Sequence, residues 1–304
     1  MSKYSVIAPK SEKELIQHFG STYEHIQDKA KVLDVGCSTG YYGRLLIEDK
    51  DCQVDGIEID PKDRAEAEKY LNSVYDVNLD KPEWPIALTS NKYDVIFLGD
   101  VIEHVLDAEN VLLRLGDLLV ENGKIIISTP NIAHLSIRME LLLGNFEYER
   151  TGILDETHLK YFTLDSLTSI VHATGYTVLE TDYSLNELHP DTVKHMLEQA
   201  GLRPTQLFWK QMQEPEARAY QWKMVIQKSG KPYMKAKPIL KPMQHNYWFV
   251  GQTKQLAAKN AELSSRLEEQ VSTLSDTRAE LESVKRSFGW RLERKIKSFF
   301  SKAT

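Results

Sequence analysis

Lys31-Val32-Leu33-Asp34-Val35-Gly36-Cys37-Ser38-Thr39-Gly40-Tyr41-Tyr42-Gly43, with Val54-Asp55-Gly56-Ile57-Glu58-Ile59-Asp60 after it, sets the architecture of the chain. Val32, Leu33 and Val35 make a short apolar run, partly β-branched, that stops at glycines, the pattern of a buried strand entering a tight turn. Tyr41 to Lys50 reads as a helix. A strand, a glycine-rich loop and a helix start let backbone come close to a nucleotide. Val54 to Ile59 reads as a second strand, and it carries Glu58, 22 positions after Gly36, where an acid can accept hydrogen bonds from ribose hydroxyls. Asp34, Gly36, Cys37, Ser38, Gly40 and Glu58 are therefore expected to hold a nucleoside.

Spacing narrows the nucleoside. A dinucleotide fingerprint places glycine at the first, third and sixth loop positions, the third so that backbone can close on a pyrophosphate. Here the third position is Ser38, and Asp34 stands before the loop, where a carboxylate repels phosphate and attracts a cation. The pattern Asp34-x-Gly36-x-Ser38-x-Gly40 resembles the first motif of class I S-adenosylmethionine-dependent methyltransferases, with serine in place of the usual middle glycine. That resemblance implies S-adenosylmethionine as cofactor, a molecule with a positive sulfonium and amine and no phosphate. A nicotinamide-dependent enzyme is the rival reading, and Ser38 speaks against it.

The remaining strands follow from the same alternation. Pro61 starts a helix running to about Tyr70, and Val74 to Leu79 reads as a third strand. Asn78 and Leu79 fall at its tip, where the methyltransferase resemblance implies an adenine contact, made by the Asn78 amide oxygen. Tyr93 to Leu98 is the fourth strand, and it ends in Gly99-Asp100-Val101-Ile102-Glu103-His104. Ligands of an open parallel sheet bind outside the carboxyl ends of the strands where strand order reverses, so this sextet faces the reacting group. Gly99 is assigned to the cofactor, Asp100 and His104 to catalysis and Glu103 to the acceptor. The block is similar to the Asp-Val-Leu-Glu-His block of methyltransferases of the ubiquinone-biosynthesis type. The plainer alternative is that Glu103 and His104 only cap the next helix. A helix from Ala108 to Val120, a turn at Asn122-Gly123 and a fifth strand from Lys124 to Ser128 then bring Asn131 to the ligand side. Asp100 and Asn131 would supply only two oxygen ligands, too few for magnesium, so no metal is expected.

Residues 144 to 162 break the pattern with aromatics, two glycines and little helical period, the composition of a lid over a pocket. The run Thr157-His158-Leu159-Lys160-Tyr161-Phe162 resembles the substrate-side insert of the same family. On that resemblance His158 is the leading general base, its imidazole titrating near neutral pH, with a lid histidine bonded to a backbone carbonyl as the plainer alternative, and Tyr161 and Phe162 line the acceptor pocket. Thr163 caps a helix that Gly175 ends, a sixth strand follows over Tyr176 to Asp182, and a seventh over Lys223 to Gln227. The expected fold is α/β, a doubly wound, mostly parallel seven-stranded sheet of Rossmann-like methyltransferase type, followed by a C-terminal α-helical coiled coil.

Composition divides the chain of 304 residues. Residues 1 to 227 hold 22 Lys/Arg and 37 Asp/Glu, whereas the rest holds 16 and 7. An acidic body has no basic face for phosphate neutralisation, so a nucleic-acid partner is not expected. Two cysteines, Cys37 and Cys52, form no disulfide or zinc framework. No run of 18 apolar residues and no signal pattern are present, which points to a cytoplasmic chain. The expected boundaries are a methyltransferase domain over 1–228, a basic Pro-containing linker over 229–251, and a coiled coil with a basic amphipathic tail over 252–304. Asn260, Leu267, Leu274, Leu281 and Phe288 recur every seven residues, with Leu256, Leu263 and Val284 on the second seam, which favours a homo-oligomer. Arg286 to Lys302 interleaves basic and aromatic residues, a pattern suited to peripheral contact with an anionic membrane at its inner face. Its Ser-x-x-Trp-Arg element resembles tails on enzymes of bacterial surface-polysaccharide assembly. The expected function is therefore O-methylation of a small-molecule or sugar/glycan acceptor. The alternatives are a quinone-like or other aromatic hydroxyl as acceptor, and a non-catalytic scaffold acting through its coiled coil.

Overall fold

The computed structural model describes residues 20 and 22–229 together with a few positions between 259 and 273. Seven strands form one sheet: β1 (Lys31–Val35), β2 (Gln53–Ile57), β3 (Ser73–Tyr75), β4 (Tyr93–Gly99), β5 (Leu119–Pro130), β6 (Tyr176–Leu185) and β7 (Ala219–Lys228). Their spatial order is β3-β2-β1-β4-β5-β7-β6. β3 to β5 pair in parallel, and β7 runs against both β5 and β6. Strand order reverses between β1 and β4, so a crevice opens at their carboxyl ends.

The central strands are covered on both faces, as parallel strands must be. Leu33 and Val35 enter one core with Leu98, Ile127 and Trp222. Val32 enters the other with Leu46, Val54, Ile126 and Val225. Each such side chain, buried from water, contributes about 1.5–3 kcal/mol. The helix Tyr41–Lys50 lies unusually close to the sheet because of Gly43: a Cβ there would stand 2.5 Å from Leu71 Cδ2 and 2.9 Å from Val54 Cγ1. That close packing fixes the direction in which the loop before the helix points.

Several elements differ from the sequence expectation. The third strand stops at Tyr75 instead of reaching Leu79, because Asn78 begins a turn: its Oδ1 accepts from Asp80 N at 3.0 Å and its carbonyl from Lys81 N at 3.0 Å. The helix expected over Ala108 to Val120 covers Ala108–Gly116, and Leu119 and Val120 already belong to β5. Asn122, at φ 64, lies within that strand, whose pairing with β4 shifts register between Tyr93 and Val95. The helix Leu135–Leu142 was unmarked by any strong signal. Thr163 caps the helix Leu164–Ala173 through a box with Ser166, and Gly175 follows at φ 80.

The chain divides into two compact units, Met1–Trp248 and Phe249–Thr304. In the second, the described positions are helical, Arg266 pairs with Glu262 at 2.9 Å and Leu263 is exposed. The linker beyond Ser229, most of the heptad seam including Asn260, and the basic tail lie outside the described residues. No helix among the described residues is long and apolar enough to cross a membrane.

Candidate active site

The loop after β1 is closed on itself. Gly36 N and Cys37 N both donate to Ile57 O, at 2.8 and 3.0 Å, and Gly40 N donates to Cys37 O at 2.8 Å. Ser38 N donates to Glu58 Oε2 at 2.8 Å, while Asp60 N takes Glu58 Oε1 at 2.8 Å. A pyrophosphate would find these N–H groups already spent and a carboxylate beside them. Gly36 and Gly40 hold φ values of 70° and 77°, and Ser38 shares the left-handed region at 48°. That conformation costs a non-glycine residue about 1–2 kcal/mol. Ser38 Oγ, donating to Asp63 Oδ2 at 3.0 Å, offsets it. A Cβ at Gly36 would meet Val101 Cγ2 at 2.6 Å, and one at Gly40 would meet backbone Cα of Ala67 at 3.0 Å.

Asp34 lies beneath this loop, 3% exposed, with no hydrogen-bond partner for Oδ2. Burial, then the Glu58 charge, pushes its carboxyl up to about 7. Burial also raises Glu58. Two acids in one cradle, one with an orphaned oxygen, suit a cationic nucleoside and oppose a phosphorylated one. The residues present therefore fit S-adenosylmethionine. Cys37 is buried with its thiol pushed up by burial and the Asp34 charge, so it serves packing at this wall. Asn78 is exposed, Leu79 packs on the main core, and Gly99 sits beside Phe97 at the end of β4.

The tip of β4 carries the second half of the site. Asp100, at φ 56, is held in place: its N donates to Ser128 O at 3.0 Å, and its Oδ1 accepts from Ser128 Oγ at 3.1 Å and Gln221 Nε2 at 2.5 Å. Glu103 is 1% exposed, and its Oε2 accepts from Thr129 Oγ1 at 3.0 Å. Its carbonyl accepts from Leu159 N and Lys160 N at 2.9 and 3.0 Å, which ties the 144–162 segment to this tip. Burial, then Asp100, holds the Glu103 carboxyl well above the usual range. Its unpartnered Oε1 faces His158 Nε2 at 4.0 Å.

The two histidines stack edge to face with ring centroids 4.7 Å apart. His158 Nδ1 lies 3.0 Å from Ile153 O and His104 Nδ1 lies 3.1 Å from Thr157 O. A carbonyl partner requires the proton on Nδ1, so in a neutral ring the lone pair sits on Nε2. His158 is buried and its Nε2 points to Glu103; His104 is more exposed and its imidazole is pulled down, chiefly by burial, so it is neutral at pH 7.

Two residues expected at the acceptor are buried instead. Asn131 is fully buried, its amide donating to Ala219 O at 2.7 Å and Glu216 O at 3.0 Å. Phe162 is 3% exposed and belongs to the main core. Asn131 is held from β7, its N donating to Tyr220 O at 2.9 Å, and it forms an isolated bridge with Phe162. Tyr161 stays beside His158, with centroids 6.1 Å apart, and its phenol is pushed up to about 12, mainly by burial.

β7 supplies what sequence reading missed. Gln221 and Lys223 share a face with Ser128 and Asp182 across the register Ser128↔Lys223↔Asp182. Lys223 is 2% exposed, and burial draws its ammonium down to about 8 against the pull of Asp182 and Asp100. The available signal was the polar alternation in Tyr220-Gln221-Trp222-Lys223-Met224, a glutamine and a lysine inside a buried strand.

A sequence model of the methyltransferase domain matches residues 10–181. The chain belongs to the methyltransferase domain family. Its cofactor is S-adenosylmethionine. The human mitochondrial ubiquinone biosynthesis O-methyltransferase is 28% identical over 163 residues, which span 49% of this chain and 42% of that enzyme. The Azorhizobium caulinodans ubiquinone biosynthesis O-methyltransferase is 25% identical over 173 residues, 55% of this chain and 67% of that one. The chain thus spans about two fifths of the human relative's length. A SAM dependent methyltransferase from Archaeoglobus fulgidus superposes with TM-score 0.52 at 15% identity, over 75% of this chain and 100% of that one, a likeness of fold.

Proposed function

We propose that this methyltransferase-family chain transfers a methyl group to a hydroxyl oxygen of a small-molecule or sugar acceptor. The reading is carried by the His104, His158 and Glu103 knot, which stands at the tip of β4 beside the loop that cradles the cofactor. The names of the two relatives, both O-methyltransferases, support oxygen as the attacked atom. S-adenosylmethionine, when bound, supplies an electrophilic methyl carbon on a good sulfur leaving group.

Asp34 and Glu58 bind the cationic and ribose ends, and the glycines of the loop allow that approach. Asp100, locked by Ser128 and Gln221, sets the wall next to the methyl group. With the cofactor bound, His104 Nε2, in place of the buried His158 that the family resemblance favours as base, would accept the acceptor's hydroxyl proton as that oxygen took the methyl group, the carbon–sulfur electron pair staying on sulfur. His158, held between Ile153 O and Glu103, orients the His104 ring. Rate enhancement comes mainly from holding the reactants in near-attack geometry, with base assistance of about 10²–10⁴. The heptads beyond residue 252 belong to this proposal as a self-association element, and the basic tail as a membrane-surface contact.

Calorimetric titration with S-adenosylmethionine and with NADH is the first test. Binding of the first and none of the second is expected, followed by formation of S-adenosylhomocysteine with a panel of hydroxylated acceptors. No turnover on any sugar or aromatic hydroxyl, with cofactor bound, would overturn the transfer reading in favour of a scaffold.

A further inference from the structure

We infer that Asp155, acting through the hydroxyl of Thr157, is a positioning residue for His104: it keeps the ring's proton on Nδ1, so that the lone pair lies on Nε2, and it supplies the counter-charge when the ring takes up a second proton. The inference rests on the reading of His104 as base given above, and it assigns roles to two residues that reading does not use.

One short turn builds the device. Gly152, at φ 106, opens it, and Asp155 closes it with its N donating to Gly152 O at 3.2 Å. The carboxylate then folds forward, Oδ1 accepting from Thr157 N at 2.8 Å and from Thr157 Oγ1 at 2.7 Å. Aspartate suits this because its short side chain reaches backbone two residues on. Asp155 is 2% exposed, whereas Thr157 lies at the surface. A hydroxyl at the surface rotates freely unless a fixed acceptor directs it, and the buried carboxylate is that acceptor. The same turn serves the second ring, with Ile153 O at 3.0 Å from His158 Nδ1.

Hydrogen-bond direction fixes the tautomer. A hydroxyl has one proton, and that of Thr157 goes to Asp155. Its oxygen therefore meets His104 Nδ1, 3.3 Å away, with a lone pair, and Thr157 O does the same at 3.1 Å. Two acceptors facing one ring nitrogen require the proton to sit on that nitrogen. An asparagine oxygen could close the same turn, so what the carboxylate adds is charge. Burial pulls the His104 imidazole down, Thr157 O draws it up, His158 pulls it down, and Asp155 and Asp100 draw it up. Glu103, the remaining acid at this tip, is itself held well above the usual carboxylate range by burial and by Asp100. Once Nε2 has taken the acceptor's proton the ring is a cation, with Nδ1–H still on Thr157 and the Asp155 charge favouring that state. A buried acid behind a histidine base works this way, here with a hydroxyl between the two.

Nitrogen NMR of the full chain, isotopically labelled at histidine, tests this without an acceptor. The His104 signals are assigned by their loss in His104→Ala, and those of His134, buried with Nε2 at 2.6 Å from Asn186 O, report that the fold is kept. In the wild type His104 is expected as the Nδ1–H tautomer. Asp155→Asn and Thr157→Val should each titrate at lower pH than the wild type, and Thr157→Ser should titrate with it. The double variant Asp155→Asn/Thr157→Val should fall no further than the lower of the two, because they act in series. With an acceptor that is turned over, Asp155→Asn should lower kcat about tenfold at unchanged KM for S-adenosylmethionine and move the acid limb of the profile to lower pH. An Nε2–H tautomer in the wild type, additive shifts in the double variant, or an unshifted His104 in a folded Asp155→Asn chain overturns the inference. Should Asp155→Asn lose the His134 signals, Thr157→Val decides by the same shift or its absence. A chain with His104 so held that binds S-adenosylmethionine yet methylates no hydroxyl loses the function proposed above and keeps this positioning. One that transfers methyl groups with His104 unmoved by either substitution loses only the positioning.

Discussion

The loop over residues 36–43 and the segment over 144–162 both carry glycines at positive φ, yet they respond to different constraints. At Gly40 the left-handed backbone is combined with a neighbour: an added Cβ would come within 3.0 Å of Ala67 Cα. At Gly144, φ 84, an added Cβ meets nothing within 4 Å. The first region is shaped by packing against the helix Pro61–Ala67 and by hydrogen bonds that use its own N–H groups. The second is tied to the rest of the chain chiefly at Glu103 O and through the bridge Asn131↔Phe162, and to itself through the bridge Glu149↔Asp155. A loop so constrained admits few residues at each position, and a loosely anchored one admits many.

Valine at the two glycines gives the largest contrast. Gly40→Val should cost about 3 kcal/mol or more, through φ strain added to backbone overlap, and should abolish cofactor binding. Gly144→Val should cost about 1 kcal/mol from φ alone. Urea denaturation of both variants checks the pair, and equal losses would break the comparison.

Asp34→Asn keeps the shape and removes the charge. It should weaken S-adenosylmethionine binding tenfold or more by calorimetry, with stability at neutral pH equal or higher, since an unpaired buried carboxylate is itself unfavourable. On the acceptor side, His104→Ala should lower kcat about a hundredfold or more at unchanged cofactor affinity. His158→Ala should lower it as well, and unchanged turnover in that variant would remove His158 from the proton path. In the wild type, a depressed His104 keeps the base neutral at pH 7, so its contribution should fade only as pH drops below the ordinary histidine range.

Proton linkage gives a finer comparison. With Asp34 raised from 3.8 to about 7, the cofactor-free fold holds a proton that the unfolded chain releases, so its stability falls as pH rises across that window. A cationic cofactor favours the ionised carboxylate. Affinity should therefore rise with pH up to about 7, with proton release detectable as a dependence of binding heat on buffer ionisation enthalpy. The smallest effect is expected for Ser38→Gly, within about 1 kcal/mol of wild type, because relief of φ strain is offset by loss of the Asp63 hydrogen bond.

Much of the fold was legible because its signals are local. Val32 to Val35 followed by glycines, Pro61 after Asp60, and Thr163 before Leu164 each state a strand end or helix start in adjacent residues. The boundaries that moved were those where a turn competes with a strand, as at Asn78, or where β5 runs on through Asn122. Among site residues, Asp34, Glu58, Asp100, Glu103, His104 and His158 were readable as chemistry-bearing types in motif positions. Asn131 and Phe162 read as acceptor contacts but are buried, Asn131 by a bond to Ala219 O, 88 residues further on, and Phe162 in the main core, which gathers residues from Leu33 to Ile226.

The order of residues along the chain determined the alternation of strands and helices, the glycine loop, and the acidic character that turns phosphate away, since each depends on neighbours in sequence. Only the tertiary structure decided which polar groups meet. Gln221 reaches Asp100 across 121 positions, and Lys223 comes to lie between Ser128 and Asp182 through an antiparallel register. His158 turns its Nε2 to Glu103 because Ile153 holds the other nitrogen. Such contacts depend on strand order and on which face of the sheet each side chain takes, and no local pattern encodes either.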